Sequence, residues 1–82
     1  MYEYKPSGVC SSKIRFDVDG DDRLTFVEFV GGCSGNTQGI GKLAIGMKVD
    51  DVIEKLSGIR CGFKSTSCPD QFAQALKQFK EN

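Results

Sequence analysis

Histidine and tryptophan are absent from this chain of 82 residues, and proline occurs only twice. Without an imidazole there is no Ser-His-Asp or Cys-His nucleophilic site and no mixed Cys/His metal site. An excess of charge is lacking too. Lys+Arg and Asp+Glu both number 11, so the formal net charge is +0. Nucleic acids and anionic membranes attract a positive excess, so neither is expected as a partner. Long apolar runs are missing, and a bilayer-spanning helix needs about 20 apolar residues. The start, Met1-Tyr2-Glu3-Tyr4-Lys5-Pro6, carries no apolar signal core, so a cytoplasmic location is expected. The length fits one domain, residues 1–82, and leaves no room for a large catalytic barrel or a dinucleotide fold. A domain of this size buries only about 60–65% of its unfolded surface, so its stability is marginal and a staple would help.

What the chain does carry is four cysteines, Cys10, Cys33, Cys61 and Cys68. Their density falls short of the ~8–10% that marks a secreted disulfide scaffold. In a reducing compartment such residues serve as metal ligands, as reactive thiols or as small buried hydrophobes.

The first third reads as strand. Ile14, Phe16 and Val18 alternate with polar residues, which sets them on one face. Asp19-Gly20-Asp21-Asp22 makes a turn, and Leu24–Val30 is rich in aromatic and β-branched residues. Tyr2–Lys5 adds a third strand to an antiparallel meander. After Gly31-Gly32 the period becomes helical. Ile40, Leu43, Ala44 and Met47 form one stripe. Gly39 and Gly41 weaken that helix but permit close approach to the sheet. Asp50 or Asp51 is expected to cap a second helix carrying Val52, Ile53 and Leu56, with Asp51 and Glu54 at capping-box spacing. Gly58 stops it, and Ile59 is expected to fold back on it. Pro69 suits the first position of a third helix, which makes Cys68 its cap, and Phe72, Ala75, Leu76 and Phe79 form its apolar stripe. Strands first and helices after give an α+β fold: a three-stranded antiparallel sheet with two to three helices packed on one face.

Cys33 and Cys68 thus stand at two expected helix starts, where partial positive charge and unpaired N–H groups stabilise a thiolate. Cys61 lies in the loop leading to Cys68, and Cys10 comes from the strand region. If both helices start at one end of the sheet, the thiols converge. No Cys-x-x-Cys pair is present, although zinc knuckles usually supply one. Three readings follow: a cluster of thiols holding zinc or an iron–sulfur cluster, an exchanging thiol/disulfide pair, or inert buried thiols.

Two other motifs need weighing. Asp17, Asp19, Asp21 and Glu28 occupy positions one, three, five and twelve of a calcium EF-hand loop. Asp22, however, replaces the glycine of the sharp turn, and the flanking period is two rather than 3.6. A hairpin with an acidic turn is the expected outcome. The glycine-rich stretch from Gly31 to Gly41 does not match a phosphate loop, since Leu43 follows Lys42 where Ser or Thr belongs.

Thr66-Ser67-Cys68-Pro69-Asp70 spells the signature of the TSCPD-domain family. Gly8-Val9-Cys10, Gly31-Gly32-Cys33-Ser34-Gly35-Asn36, Ile40-Gly41-Lys42-Leu43, Gly46-Met47, Val52–Leu56, Gly58-Ile59 and Cys61-Gly62 also resemble it. The resemblance spans nearly the whole chain and is nearest to small stand-alone members. The same domain resembles the C-terminal portion of adenosylcobalamin-dependent ribonucleotide reductases. That likeness implies a link to ribonucleotide reduction, with reductase and nucleotide-binding labels attached to it, but the large radical-generating barrel has no room here. The order of strands, cysteines and helices is also distantly similar to iron–sulfur cluster scaffold proteins. By that likeness Cys33, Cys61 and Cys68 are the ligands, with Cys10 as a fourth. Gly35 stands where the scaffold has an acid, and the segment between the last two cysteines is shorter.

The expectation is therefore a small accessory module binding Zn or an Fe–S cluster through Cys10, Cys33, Cys61 and Cys68. A ribonucleotide reductase or an iron–sulfur protein is its expected partner. The alternatives are a thiol-disulfide redox or electron-delivery protein exchanging Cys61 and Cys68, an inert structural or interaction domain, and, least favoured, a single calcium site at Asp17, Asp19, Asp21 and Glu28.

Overall fold

Three strands and three helices follow one another along the chain in a computed structural model. It describes residues 2–6, 8, 11–31, 34–60 and 66–81, giving only the backbone at Ser11 and at 34–36. β1 (Tyr2–Tyr4), β2 (Ser11–Val18) and β3 (Leu24–Gly31) form an antiparallel sheet in the order β1-β2-β3. α1 (Ser34–Ala44), α2 (Val49–Leu56) and α3 (Cys68–Glu81) follow. The α+β class, the meander and the strands-then-helices order agree with the sequence reading. Among the described residues no helix is long and apolar enough to cross a membrane.

The strand alternation works as the period of two requires. Tyr2 pairs with Phe16, Tyr4 with Ile14, Phe16 with Val27 and Ile14 with Phe29, so apolar pairs line the inner face. Glu3, Arg15 and Glu28 lie in one row on the outer face, where Arg15 donates to Glu3 at 2.8 Å and to Glu28 at 3.4 Å. The hydrogen bond to Arg15 holds the Glu3 carboxyl below its ordinary range. The register slips at the hairpin end, where Asp17 faces Phe26 but Val18 faces Leu24. Thr25 is therefore the extra residue of a bulge. The bulge turns Leu24 inward, to 1% exposure, while Phe26 stays 38% exposed. Strict alternation would have put both on one face.

Inside, Ile14, Phe16, Leu24, Val49, Val52, Phe72 and Leu76 are buried together. Phe72 meets Phe16 and Phe29 edge to face, at 6.1 and 5.6 Å between ring centres. The α3 stripe is thus the expected one, with Phe79 half-buried against Tyr2 and Phe16.

The other helices correct the sequence reading. Among the described side chains of α1 the buried positions are Thr37, Gly41 and Ala44, of which Ala44 belongs to the expected stripe, while Leu43 is 78% exposed. Small residues face β3 because the helix runs so close to it. A Cβ on Gly41 would lie 3.4 Å from the Val27 carbonyl oxygen. Gly39 has no such contact. Ile40 and Met47 are half-buried against the core, as expected, and with Leu43 and with Val52 and Leu56 of α2 they line an apolar hollow of about 310 Å³.

Neither Asp50 nor Asp51 caps α2. Its N-cap is Lys48, with no side-chain cap bond, and both acids lie within the first turn, where they favour the helix dipole. Backbone pairing fixes this start: the Val49 N–H donates to the Asp22 carbonyl at 3.0 Å, and Lys48 bridges to Arg23. Ile59 does not fold back and is 41% exposed. The cap of α3 is one residue earlier than expected, at Ser67, as the hydrogen bonds below establish.

Candidate functional site

The start of α3 carries a connected set of side-chain hydrogen bonds. Ser67 has the geometry of an N-cap. Its carbonyl accepts the Gln71 N–H at 2.8 Å, and its hydroxyl accepts the Asp70 N–H at 3.2 Å. Cys68 is therefore the first helical residue and Pro69 the second. Proline fits there because the N–H it lacks has no partner within the helix.

The side chains of this turn bind one another and the end of α2. The Thr66 hydroxyl donates to Asp70 Oδ2 at 2.5 Å and accepts from Gln71 Nε2 at 3.0 Å. Asp70 Oδ1 accepts the Gly58 N–H at 2.7 Å. The Ser67 hydroxyl donates to the Ile59 carbonyl at 2.6 Å. From the sheet, the Tyr4 hydroxyl makes a long contact of 3.4 Å to Gln71 Oε1. Gly58 is free to meet Asp70 because it takes φ +84°, a left-handed conformation that costs a β-carbon residue about 1 kcal/mol or more.

Asp70 is the electrostatic centre of this clasp and is only 7% exposed. Burial pushes its carboxyl up. The hydrogen bonds from Thr66 and Gly58, the nearby charge of Lys77 and a hydrogen bond from Gln74 more than reverse that, leaving the group below its ordinary value of 3.8. No buried side-chain nitrogen or oxygen among the described residues lacks a hydrogen-bond partner.

Of the four cysteines, Cys68 alone falls within the described residues; Cys10, Cys33 and Cys61 lie outside them. Cys68 is half-buried at the start of α3. Among the described residues no group of three or more Cys, Asp or Glu side chains is placed to hold a metal ion.

That statement includes the calcium candidates, all four of which are described. Asp17 lies on β2 opposite Phe26, with Oδ1 accepting the Val18 N–H at 3.1 Å. Asp19 folds the turn itself, its Oδ1 accepting the N–H groups of Asp21 and Arg23 at 2.9 and 3.1 Å. Asp21 is exposed in the same turn, and Glu28 faces Arg15. The segment is a hairpin with an acidic turn. Asp22, at φ +64°, takes up the left-handed bend where an EF-hand has glycine.

Sequence reasoning passed over Thr66, Ser67 and Asp70 as working side chains, because Pro69 drew the cap onto Cys68. Ser67-x-x-Asp70 is itself a helix-start signature and would have placed the cap correctly. For Gly58, Gln71 and Tyr4 no local signal exists, since their partners come from other elements.

No curated protein and no solved structure matches the chain. The family model for the TSCPD domain matches residues 2–80, and its five-letter signature is the clasp turn, Thr66 to Asp70. The chain belongs to the TSCPD-domain family.

Proposed function

We propose that this protein is a metal-binding accessory module in which Cys10, Cys33, Cys61 and Cys68 together hold zinc or an iron–sulfur cluster. One observation carries this reading: contacts link the four chain segments that bear the cysteines. A Cβ on Gly8 would lie 3.4 Å from the Thr66 methyl group. Ser67 donates to the Ile59 carbonyl at 2.6 Å, and Ser11 pairs with Gly31. In sequence, Gly8 and Ser11 bracket Cys10, Gly31 precedes Cys33 by two, Ile59 precedes Cys61 by two, and Thr66 and Ser67 lead directly into Cys68. Two residues of chain reach at most about 7 Å. The tethers are thus short beside the size of the domain.

The chemistry of the donor set agrees. Four thiolates suit tetrahedral zinc in a closed structural site, or the irons of a cluster. In a domain this small a structural metal would be the staple that marginal stability calls for. The family's likeness to a domain of ribonucleotide reductases makes ribonucleotide reduction the natural setting, in the cytoplasm, with a reductase or an iron–sulfur protein as partner. The balanced charge agrees with a protein partner rather than nucleic acid or an anionic membrane.

Elemental analysis of protein purified without oxygen, paired with a thiol count under denaturing conditions, tests this. We expect about one zinc per chain, or iron with matching sulfide, lost when the cysteines are changed to serine. Absence of metal with two thiols missing would replace the proposal by an exchanging Cys61–Cys68 pair. Absence of metal with all four thiols free would overturn both.

A further inference from the structure

We infer that the hollow between α1 and α2 is a self-association surface, and that its occupant is a second copy of this chain related by a two-fold axis. The surface is apolar and open. Ile40, Leu43, Met47, Val52 and Leu56 line a volume of about 310 Å³, and among the described residues around it Lys55 alone is charged. Beside this hole stands a knob. Leu43 is 78% exposed, more than any other large hydrophobic among the described residues. Single exposed leucines are common on monomers. A leucine at the lip of an apolar hollow makes a contiguous patch, which is what partners cover.

The charges select the partner. Asp51 and Lys55 are both exposed and stand four residues apart on α2, one turn along the same side of the helix. The α2 wall thus carries one charge of each sign. A two-fold axis crossing α2 near Ile53 lays the helix antiparallel to its copy and brings Asp51 of each chain to Lys55 of the other. A two-fold interface must be complementary to itself. This patch holds both halves of both contacts: knob and hole, acid and base. The net charge of +0 adds no long-range repulsion between copies. None of these residues is a cysteine or a member of the clasp, so the surface stands apart from the metal proposal.

Sedimentation equilibrium of the purified chain tests this, with helical circular dichroism as the check on folding. Wild type is expected to approach the mass of two chains as its concentration rises. Leu43→Lys changes an exposed side chain in the last turn of α1, so the helical signal should stay while self-association weakens about tenfold or more. Asp51→Lys sets lysine against lysine across the axis, and Lys55→Asp sets aspartate against aspartate, so each alone is expected to weaken the dimer. Mixing these two variants in equal amounts restores both opposite pairs, and a dimer of one chain of each should form. If Asp51→Lys loses its helical signal, Leu43→Lys and Lys55→Asp still decide. Wild type staying monomeric up to about 1 mM would overturn the inference and leave the hollow to a different protein. A dimer untouched by Leu43→Lys would overturn it by placing the contact elsewhere. Loss of the dimer in both charge variants without recovery on mixing would overturn the two-fold arrangement, and recovery on mixing supports it.

Discussion

The β2–β3 turn and the start of α3 make opposite use of the same chemical group. At the turn, Asp19 accepts two N–H groups from residues two and four positions away, in the open. At the clasp, Asp70 accepts one hydrogen bond from Thr66, four residues back, and another from Gly58, twelve residues back and just past the end of α2. Asp70 is 7% exposed, whereas Asp19 is on the surface. The first carboxylate bends the chain locally, and water can replace it. The second is itself buried and joins the start of α3 to the end of α2, where water replaces it less easily. Acid content therefore says little about importance; the sequence separation of the partners and their burial say much more.

The sharpest way to break this comparison is to remove both carboxylates in turn. Asp70→Ala removes a buried carboxylate and leaves the Gly58 N–H and the Thr66 hydroxyl without their acceptor. It is expected to destabilise by about 2–3 kcal/mol, the range for a buried charged hydrogen-bond partner. For a domain of this size that lowers Tm by about 10–20 °C, readable by thermal circular dichroism.

Acid titration sharpens the contrast by a second route. Asp70 titrates below its ordinary value in the folded chain, so the unfolded chain binds more protons through that interval. Its contribution is complete above the ordinary value of 3.8 and is lost as pH falls through the lower folded value. Urea midpoints measured from about pH 6 down to about pH 2 should fall steeply in wild type once the ordinary aspartate range is crossed. Asp70→Asn should follow a flatter curve over the same interval. Parallel curves would mean that other carboxylates dominate.

The smallest effect belongs to the turn. Asp19→Ala exchanges two exposed hydrogen bonds for bonds to water and is expected to cost about 0.5–1 kcal/mol, measured in the same urea titration. A loss as large as that of Asp70→Ala would show the turn to be as critical as the clasp.

The same contrast explains what was legible in the sequence. The meander could be read because alternation of Ile14, Phe16 and Val18 is a property of adjacent residues, and the α3 stripe because Phe72, Leu76 and Phe79 repeat at the helical period. The inner face of α1 was read correctly at Ala44 and in the close approach at Gly41, but not at Leu43 or Thr37. Periodicity ranks residues by apolar character, so it set Leu43 in the stripe. Packing left Leu43 exposed and turned Thr37 and Gly41 inward, with the Val27 carbonyl of β3 leaving little room at Gly41. The start of α2 was misjudged for a related reason: the pairing of Lys48 and Val49 with the β2–β3 turn fixes it, and no residue near Asp50 announces that. At the site, the signature residues were visible as letters, but their division of labour was not.

The sequence by itself determined the class of the fold, the order of its elements, the strand faces, the hairpin and the family. Each of these is carried by local periodicity, turn chemistry or a contiguous motif. Tertiary structure alone decided that Leu43 of α1 stays outside while Thr37 goes inward, that Thr25 bulges so that Leu24 enters the core, and that Asp70 joins the end of α2 to the cap of α3. Those outcomes depend on distances between segments far apart in sequence, and such distances exist only once the chain has closed on itself.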